Sequence, residues 1–384
     1  MHGTLYALSM GFLDSLKSSF GGGARGGSVL GVDIGSSSIK IVQLRRDKGH
    51  AVLETYGEIA LGPYSGTEVG RATHLDAATI SQALTDLIKE ANVTAVRSGI
   101  SVPFSASLTS VIEMPKMNPK QLAHMIPLEA RKYIPANINE VMLDWFIIPE
   151  DVAQKEWSRS HAASDEDKNP PKTEVLLVAI HNEILNNYQT ITQQSGLDVG
   201  FYELEIFGSV RSSLSVGIAP VMIVDIGAAT TKVYIVERGI VRLSHLISMG
   251  AQDLTLGISR SLGVSFDKAE RLKREQGLID MGAGQNQVKD ALLSTLGRIF
   301  SDINRVLLSY EKKYGRNVSR MVLTGGGAGL PELASYAKEV VSIEVELSNP
   351  FDKVQTPAFL EDVLEEVGPE FAVAVGVALR RMQA

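Results

Sequence analysis

The chain of 384 residues contains no cysteine. Disulfides, thiolate metal sites and cysteine nucleophiles are therefore excluded. Long apolar runs are missing too: the longest uncharged stretch, Ser98–Ile112, has 15 residues and includes proline and several serines. A spanning helix needs about 20 mostly apolar residues, so no transmembrane segment is expected. Basic charge is in deficit, with 37 Lys and Arg against 44 Asp and Glu and a net charge of −7. That balance argues against nucleic acid as the main partner and against electrostatic adhesion to anionic lipid. The seven histidines are scattered and form no His-Glu-x-x-His pair, a pattern of surface or packing residues rather than of zinc ligands. No cationic segment precedes the apolar start, so no signal peptide fits. No G-x-x-x-x-G-K-[ST] loop occurs, which excludes a P-loop protein.

What is present is a repeat. Residues 29–42 read VLGVDIGSSSIKIV, and residues 221–236 read VMIVDIGAATTKVYIV. Asp33 and Asp225 stand 192 positions apart, half the chain. Solenoid units run about 20–50 residues, so the spacing points instead to two similar domains facing each other. VLGVD and VMIVD are β-branched apolar runs and read as buried strands. An aspartate at such a strand's end can emerge from the core and meet a hydrated Mg²⁺. Gly35 and Gly227 permit a tight turn and close ligand approach. Ser36, Ser37 and Ser38 in one copy, and Ala228, Ala229, Thr230 and Thr231 in the other, are too small to block a phosphate. Their backbone N–H groups can line an anion nest. Lys40 and Lys232 can add positive charge if strand alternation turns them toward the ligand. One Asp-Ile-Gly alone would signal only a hairpin turn; two copies with the same flanks reverse that reading.

A third element is RMVLTGGGAGLPELASYAK, residues 320–338. It predicts a strand, a glycine turn and a helix with Pro331 near its first turn. Gly325, Gly326 and Gly327 would let a base and ribose lie against the backbone. Leu330 stands where the dinucleotide pattern G-x-G-x-x-G needs its last glycine.

Together these motifs resemble the two phosphate motifs and the adenosine motif of the actin, heat-shock chaperone and sugar-kinase superfamily. Within it the chain is similar to the PilM family of type IV pilus assembly, through VIEMPKM, LEARKYIP and INEVMLDW in residues 100–149. That segment resembles a distinctive subdomain shared in outline with the division protein FtsA. The resemblance covers residues 28–384. It implies an α/β, two-lobed, actin-like (ribonuclease H-like) fold with an FtsA-like extra subdomain. It implies ATP and Mg²⁺ between the lobes, with Asp33 and Asp225 facing the cation through water. Gly35, Ser36, Ser37, Ser38, Lys40, Gly227, Ala228, Thr230 and Thr231 would hold phosphates, and Gly325, Gly326 and Gly327 the adenosine. In DKAERLKRE, Glu270 and Lys273 share a helix face; by resemblance they contact ribose and base, although by itself the pair reads as a surface ion pair.

The resemblance further implies a cytoplasmic protein tied to the inner membrane through a partner, the N-terminal cytoplasmic tail of a PilN-like protein. It leaves room for contact with pilus motor ATPases and for self-association. No water-activating residue is legible, so hydrolysis is expected to be slow or absent. The alternatives are an FtsA-like filament former, although VALRRMQA is no amphipathic membrane tail, and a small-molecule kinase of the same superfamily.

The domain organisation expected is a flexible segment at 1–27 and a first lobe at 28–103, 203–216 and 365–384. A partner-binding subdomain takes 104–200, with a mobile loop at 150–173. The second lobe takes 220–250 and 316–360, and a further subdomain 251–315. Leu5–Phe20 followed by GGGARGG reads as a leader or as upstream translation with Met10 as the start, rather than as a membrane-surface helix, because it lacks a basic face. Helices are predicted at 77–91, 118–133, 182–195 and 203–216, and strands at 107–114, 140–149 and 174–181. Pro127 interrupts the 118–133 pattern, where it removes a hydrogen bond to Ala123, so a kink or two short helices are expected.

Overall fold

The computed structural model describes residues 27–149, 172–215 and 217–382. The expectations for residues 1–26, and for the 150–173 loop up to 171, lie outside the described residues.

The internal repeat extends well beyond the two hairpins. One five-stranded sheet has the order β3-β2-β1-β4-β8, with β1 Val29–Ile34, β2 Ser38–Asp47, β3 His50–Ala60, β4 Arg97–Val102 and β8 Asp198–Leu204. The other has the order β11-β10-β9-β12-β13, with β9 Val221–Ile226, β10 Thr231–Glu237, β11 Ile240–Ile247, β12 Arg320–Thr324 and β13 Glu344–Leu347. In each, the Asp-bearing strand pairs antiparallel with the next strand and parallel with a later one. Both faces of the Asp-bearing strands are covered, which is why β1 and β9 read as unbroken apolar runs.

Helices pack on each sheet. Helix α1 (Ala77–Glu90), capped by Asp76 on the Thr79 N–H, sets Ala83, Leu84 and Leu87 against Leu30, Ile39 and Ile41. Helices α5 (Ala251–Leu262), α6 (Phe266–Gln276) and α7 (Gln287–Tyr314) bury Leu254, Ile258, Leu292, Leu296 and Ile299 against Met222, Val224, Val233 and Ile235. A short helix, α8 (Leu333–Val341), follows the glycine turn. Pro331 precedes α8 by two residues, near its first turn as expected, and its carbonyl accepts the Leu278 N–H at 3.0 Å.

A third sheet, ordered β5-β7-β6, is inserted between β4 and β8. Its strands are β5 Ser107–Pro115, β6 Val141–Ile147 and β7 Lys172–His181. Helix α2 (Pro119–Ala130) opens with an Asn118–Gln121 capping box and buries Leu122, Ile126 and Ala130 on this sheet. A single helix runs through Pro127 and stops at Ala130, in place of two short helices. With three residues left beyond it, Pro127 costs the helix one hydrogen bond near its end rather than in its middle. Helix α3 (Asn182–Gln194) leads back to β8. The inserted sheet also touches the second one. Thr109 and Ser244 share a hydroxyl hydrogen bond of 2.7 Å, and Arg242 donates to Glu174 at 2.5 Å.

Two helices join the halves. Helix α4 (Glu205–Ser213) is shorter than predicted because residues 203 and 204 finish β8. It packs Ile206, Phe207 and Val210 with Ile223 and Tyr234 of the second sheet. Helix α9 (Glu361–Arg380) returns to the first sheet, where Phe371, Ala374, Val375 and Ala378 meet Val29, Val42 and Leu44. The two helices cross at Gly208 and Gly376. A Cβ at Gly376 would lie 2.7 Å from the Gly208 Cα and nearer still to its carbonyl, so only glycine permits this approach. The Ser212 hydroxyl (to Ala372 O) and Arg211 (to Gly376 O) fasten the crossing at 2.7 Å each. Among the described residues, no helix is long and apolar enough to cross a membrane.

Candidate functional site

The Asp-bearing strands end at a cleft of about 390 Å³ between the two sheets. Register explains what lines it. Asp33 stands directly opposite Lys40, and Asp225 directly opposite Lys232. Directly paired residues of an antiparallel ladder point to the same face, so each hairpin offers one carboxylate and one ammonium to the cleft. The turns are alike: the Gly35 N–H donates to Ser38 O and the Gly227 N–H to Thr230 O, both at 2.9 Å. Ser36, Ser37 and Ser38 face Ala228, Ala229 and Thr230 across the opening. Thr231 does not join them. It is fully buried and its hydroxyl donates to Met249 O at 2.8 Å, a structural role that strand alternation from Thr230 foretells.

The lysines are held differently. The Lys40 ammonium donates to the Ser38 hydroxyl at 2.7 Å, pairs with Glu58 at 2.8 Å and lies 3.8 Å from Glu370 on α9. The Lys232 ammonium pairs with Glu205 at 3.0 Å and with Asp225 at 3.5 Å. Burial alone would push the Lys232 pKa down; the carboxylates of Asp225 and Glu205 override it and hold the ammonium above its ordinary value. Burial raises the Asp33 carboxyl, against a 2.7 Å hydrogen bond from the Ser101 hydroxyl and the field of Lys40. Burial likewise raises Glu205, opposed by Lys232.

Glu205 was not legible as a site residue. It opens α4 at the junction between the two repeats, with one oxygen on the Phe104 N–H at 2.6 Å and the other on Lys232. An acidic residue at a strand-to-helix junction between repeats is the one signal that could have found it. Glu58 and Glu370, which lie in no motif, also line the cleft, as does Arg274, next to Lys273 in DKAERLKRE.

The glycine turn lines the cleft and also packs against the end of β9. Gly325 has φ +82°, and a Cβ there would lie 2.7 Å from Ile226 O and nearer still to Asp225. A Cβ at Gly327 would lie 2.9 Å from the Ile226 Cβ, while Gly326 has ordinary room. Gly325 and Gly327 thus seat the turn against the end of β9, and all three glycines line the cleft. The Gly325 N–H and the Thr324 hydroxyl both donate to Pro369 O, at 2.9 and 3.0 Å, tying the turn to α9.

Glu270 and Lys273 line the cleft and are buried, not a surface pair. They bond at 2.7 Å, and Glu270 also accepts from Thr255 at 2.6 Å and from Arg274 at 2.8 Å. Burial lowers the Lys273 pKa, and although burial opposes it, Lys273 holds the Glu270 carboxylate below its usual value. The loop before α1 crosses to the same helices, with Gly70 against Glu270 and the Ala72 N–H on Gln252 at 3.1 Å.

Magnesium fits this arrangement poorly. Among the described residues no three acidic or imidazole groups converge to hold a metal ion. Of the two aspartates expected to face aqua-magnesium, Asp225 already shares the Lys232 ammonium with Glu205, and Asp33 accepts from the Ser101 hydroxyl.

Comparisons with known proteins agree with the fold. A solved PilM–PilN type IV pilus biogenesis complex matches at a TM-score of 0.75 and 23% identity, over 92% of this chain and 98% of that one. The ethanolamine utilization protein EutJ of Carboxydothermus hydrogenoformans matches at 0.52 and 15%, over 93% and 91%. The cell division protein FtsA of Neisseria meningitidis is 25% identical over 77% of this chain and 80% of its own length. FtsA of Bacillus subtilis is 23% identical over 50% of this chain, which spans about half of that relative, 48%. The architecture is thus the two-lobed actin-like one. Residues 31–382 match the family described as type IV pilus assembly protein PilM, and the chain belongs to that family.

Proposed function

We propose that this PilM-family chain is a nucleotide-responsive scaffold of type IV pilus assembly. ATP binds between the lobes, and the inserted subdomain holds the N-terminal cytoplasmic tail of a PilN-like inner-membrane protein. The observation that carries the nucleotide half is the paired register: two Asp–Lys hairpins open onto one cleft from opposite sheets. Small residues and turn N–H groups on each side suit the phosphates, and the buried Glu270–Lys273 pair suits the ribose end. Closing two lobes on a ligand is a natural hinge transition, with the α4–α9 crossing as its pivot.

The partner half rests on the family and on the matched complex, which contains PilN. Such a peptide docks by strand addition or by apolar anchors in a groove, and this places the protein at the membrane through its partner. Because the inserted sheet touches the second lobe through Thr109–Ser244 and Arg242–Glu174, nucleotide and peptide affinities are expected to be coupled, and reciprocally so. Turnover is expected to be slow, since both oxygens of Glu205 are engaged. Phosphate release faster than about 1 s⁻¹ would contradict that. The scaffold reading is tested by deleting the PilN-like tail: the protein then leaves the membrane fraction. Retention after that deletion would refute the tether.

A further inference from the structure

Resting on the nucleotide reading above, we propose that the Lys232 ammonium occupies the place that magnesium would take between the cleft carboxylates and the nucleotide phosphates, so that ATP binding by this chain needs no divalent cation.

The argument is geometric. The second hairpin turns Lys232 to the same face as Asp225 by direct cross-strand pairing. Its Nζ lies 3.0 Å from Glu205 and 3.5 Å from Asp225. Magnesium keeps its waters and meets carboxylates through them, with Mg–O distances of about 2.0–2.1 Å. An aqua ion facing these two carboxylates would therefore need the space that the ammonium fills. The ammonium is also next to the anion nest: a Cβ built on Gly227 would lie 3.4 Å from Nζ. A point charge between carboxylates on one side and turn N–H groups on the other can neutralise the former and meet phosphate oxygens on the latter. The side chain is only 12% exposed, and its neighbours hold it charged.

The first hairpin supplies the contrast. Lys40 has the same register opposite Asp33, yet its ammonium is drawn to Ser38 and Glu58. The internal cation is thus a property of the second hairpin, set by Glu205, which opens α4 beside it.

The test titrates ATP into nucleotide-free full-length protein, once with excess magnesium and once with excess EDTA, and reads Kd by calorimetry. The expected result is a Kd that differs by less than about threefold between the two. A loss of more than about tenfold on chelation, 1.4 kcal/mol, overturns the inference while leaving the nucleotide reading intact. Absence of binding in both buffers overturns the nucleotide reading and the inference with it. Lys232→Met gives the converse: about tenfold weaker binding in EDTA, recovered by magnesium. Unchanged binding by that variant in EDTA refutes the role. Should the variant fail to fold, the wild-type comparison decides alone.

Discussion

Two glycine-to-alanine changes should move stability in opposite directions, for reasons set by what a methyl group would meet. At Gly376 the new Cβ would lie 2.7 Å from the Gly208 Cα, where carbon atoms rest comfortably at about 3.5–4.0 Å. Helices α4 and α9 must separate by about 1 Å. Overpacking of that kind costs about 1–3 kcal/mol. Stretching the Ser212 and Arg211 hydrogen bonds across the crossing adds about 1 kcal/mol for each one lost. The better helix propensity of alanine returns about 1 kcal/mol. The net expectation is destabilisation by about 2 kcal/mol. Gly297, in α7, is exposed with nothing within 4 Å of its Cβ position, so Gly297→Ala should stabilise by about 0.5–1 kcal/mol. Urea unfolding followed by far-ultraviolet circular dichroism compares the two. Equal midpoints for both variants would refute the claim that the lobes pivot on a glycine crossing.

Arg242 is 8% exposed and joins Glu174 of the inserted sheet to Glu237 of the second. Arg242→Met should cost about 3 kcal/mol, the lower end for breaking a buried pair, because Arg316 still meets Glu237; hydrogen exchange should speed up in β5 and β7. Lys353 donates to the Arg211 and Leu214 carbonyls, and burial, aided by Arg211, pushes its pKa down to about 8. The folded chain releases this proton before the unfolded chain does, near 10.5. Between these values the unfolded state binds more protons, so stability rises with pH across that window. Lys353→Met should flatten the rise in urea midpoints measured from pH 8 to pH 10, and an unchanged slope would exclude Lys353 as its source.

The large-scale plan was legible because it is written twice. A buried β-branched strand ending in Asp-Ile-Gly at 33 and again at 225 announces two copies of one sheet, and the strand orders show them. Helix α1 was found almost to the residue, since its apolar spacing and the Asp76 cap agree. What stayed hidden depends on distant packing. Glu205 enters the cleft only because α4 starts where β8 ends; its place at that junction is the one local hint, and the lysine that holds it stands 27 positions later. The packing role of Gly325 and Gly327 stayed hidden because the atoms they avoid, Asp225 and Ile226, lie about a hundred positions away. Pro127 suggested a broken helix, but its position near the helix end lets the capping box and the burial of Leu122 and Ile126 prevail.

The account stands or falls on whether the cleft holds ATP. Calorimetric titration of ATP into folded, nucleotide-free protein, in a magnesium buffer, is the direct measurement. The paired hairpins predict saturable binding to a single site per chain, weakened by Asp225→Ala. No measurable heat of binding at millimolar nucleotide would contradict it.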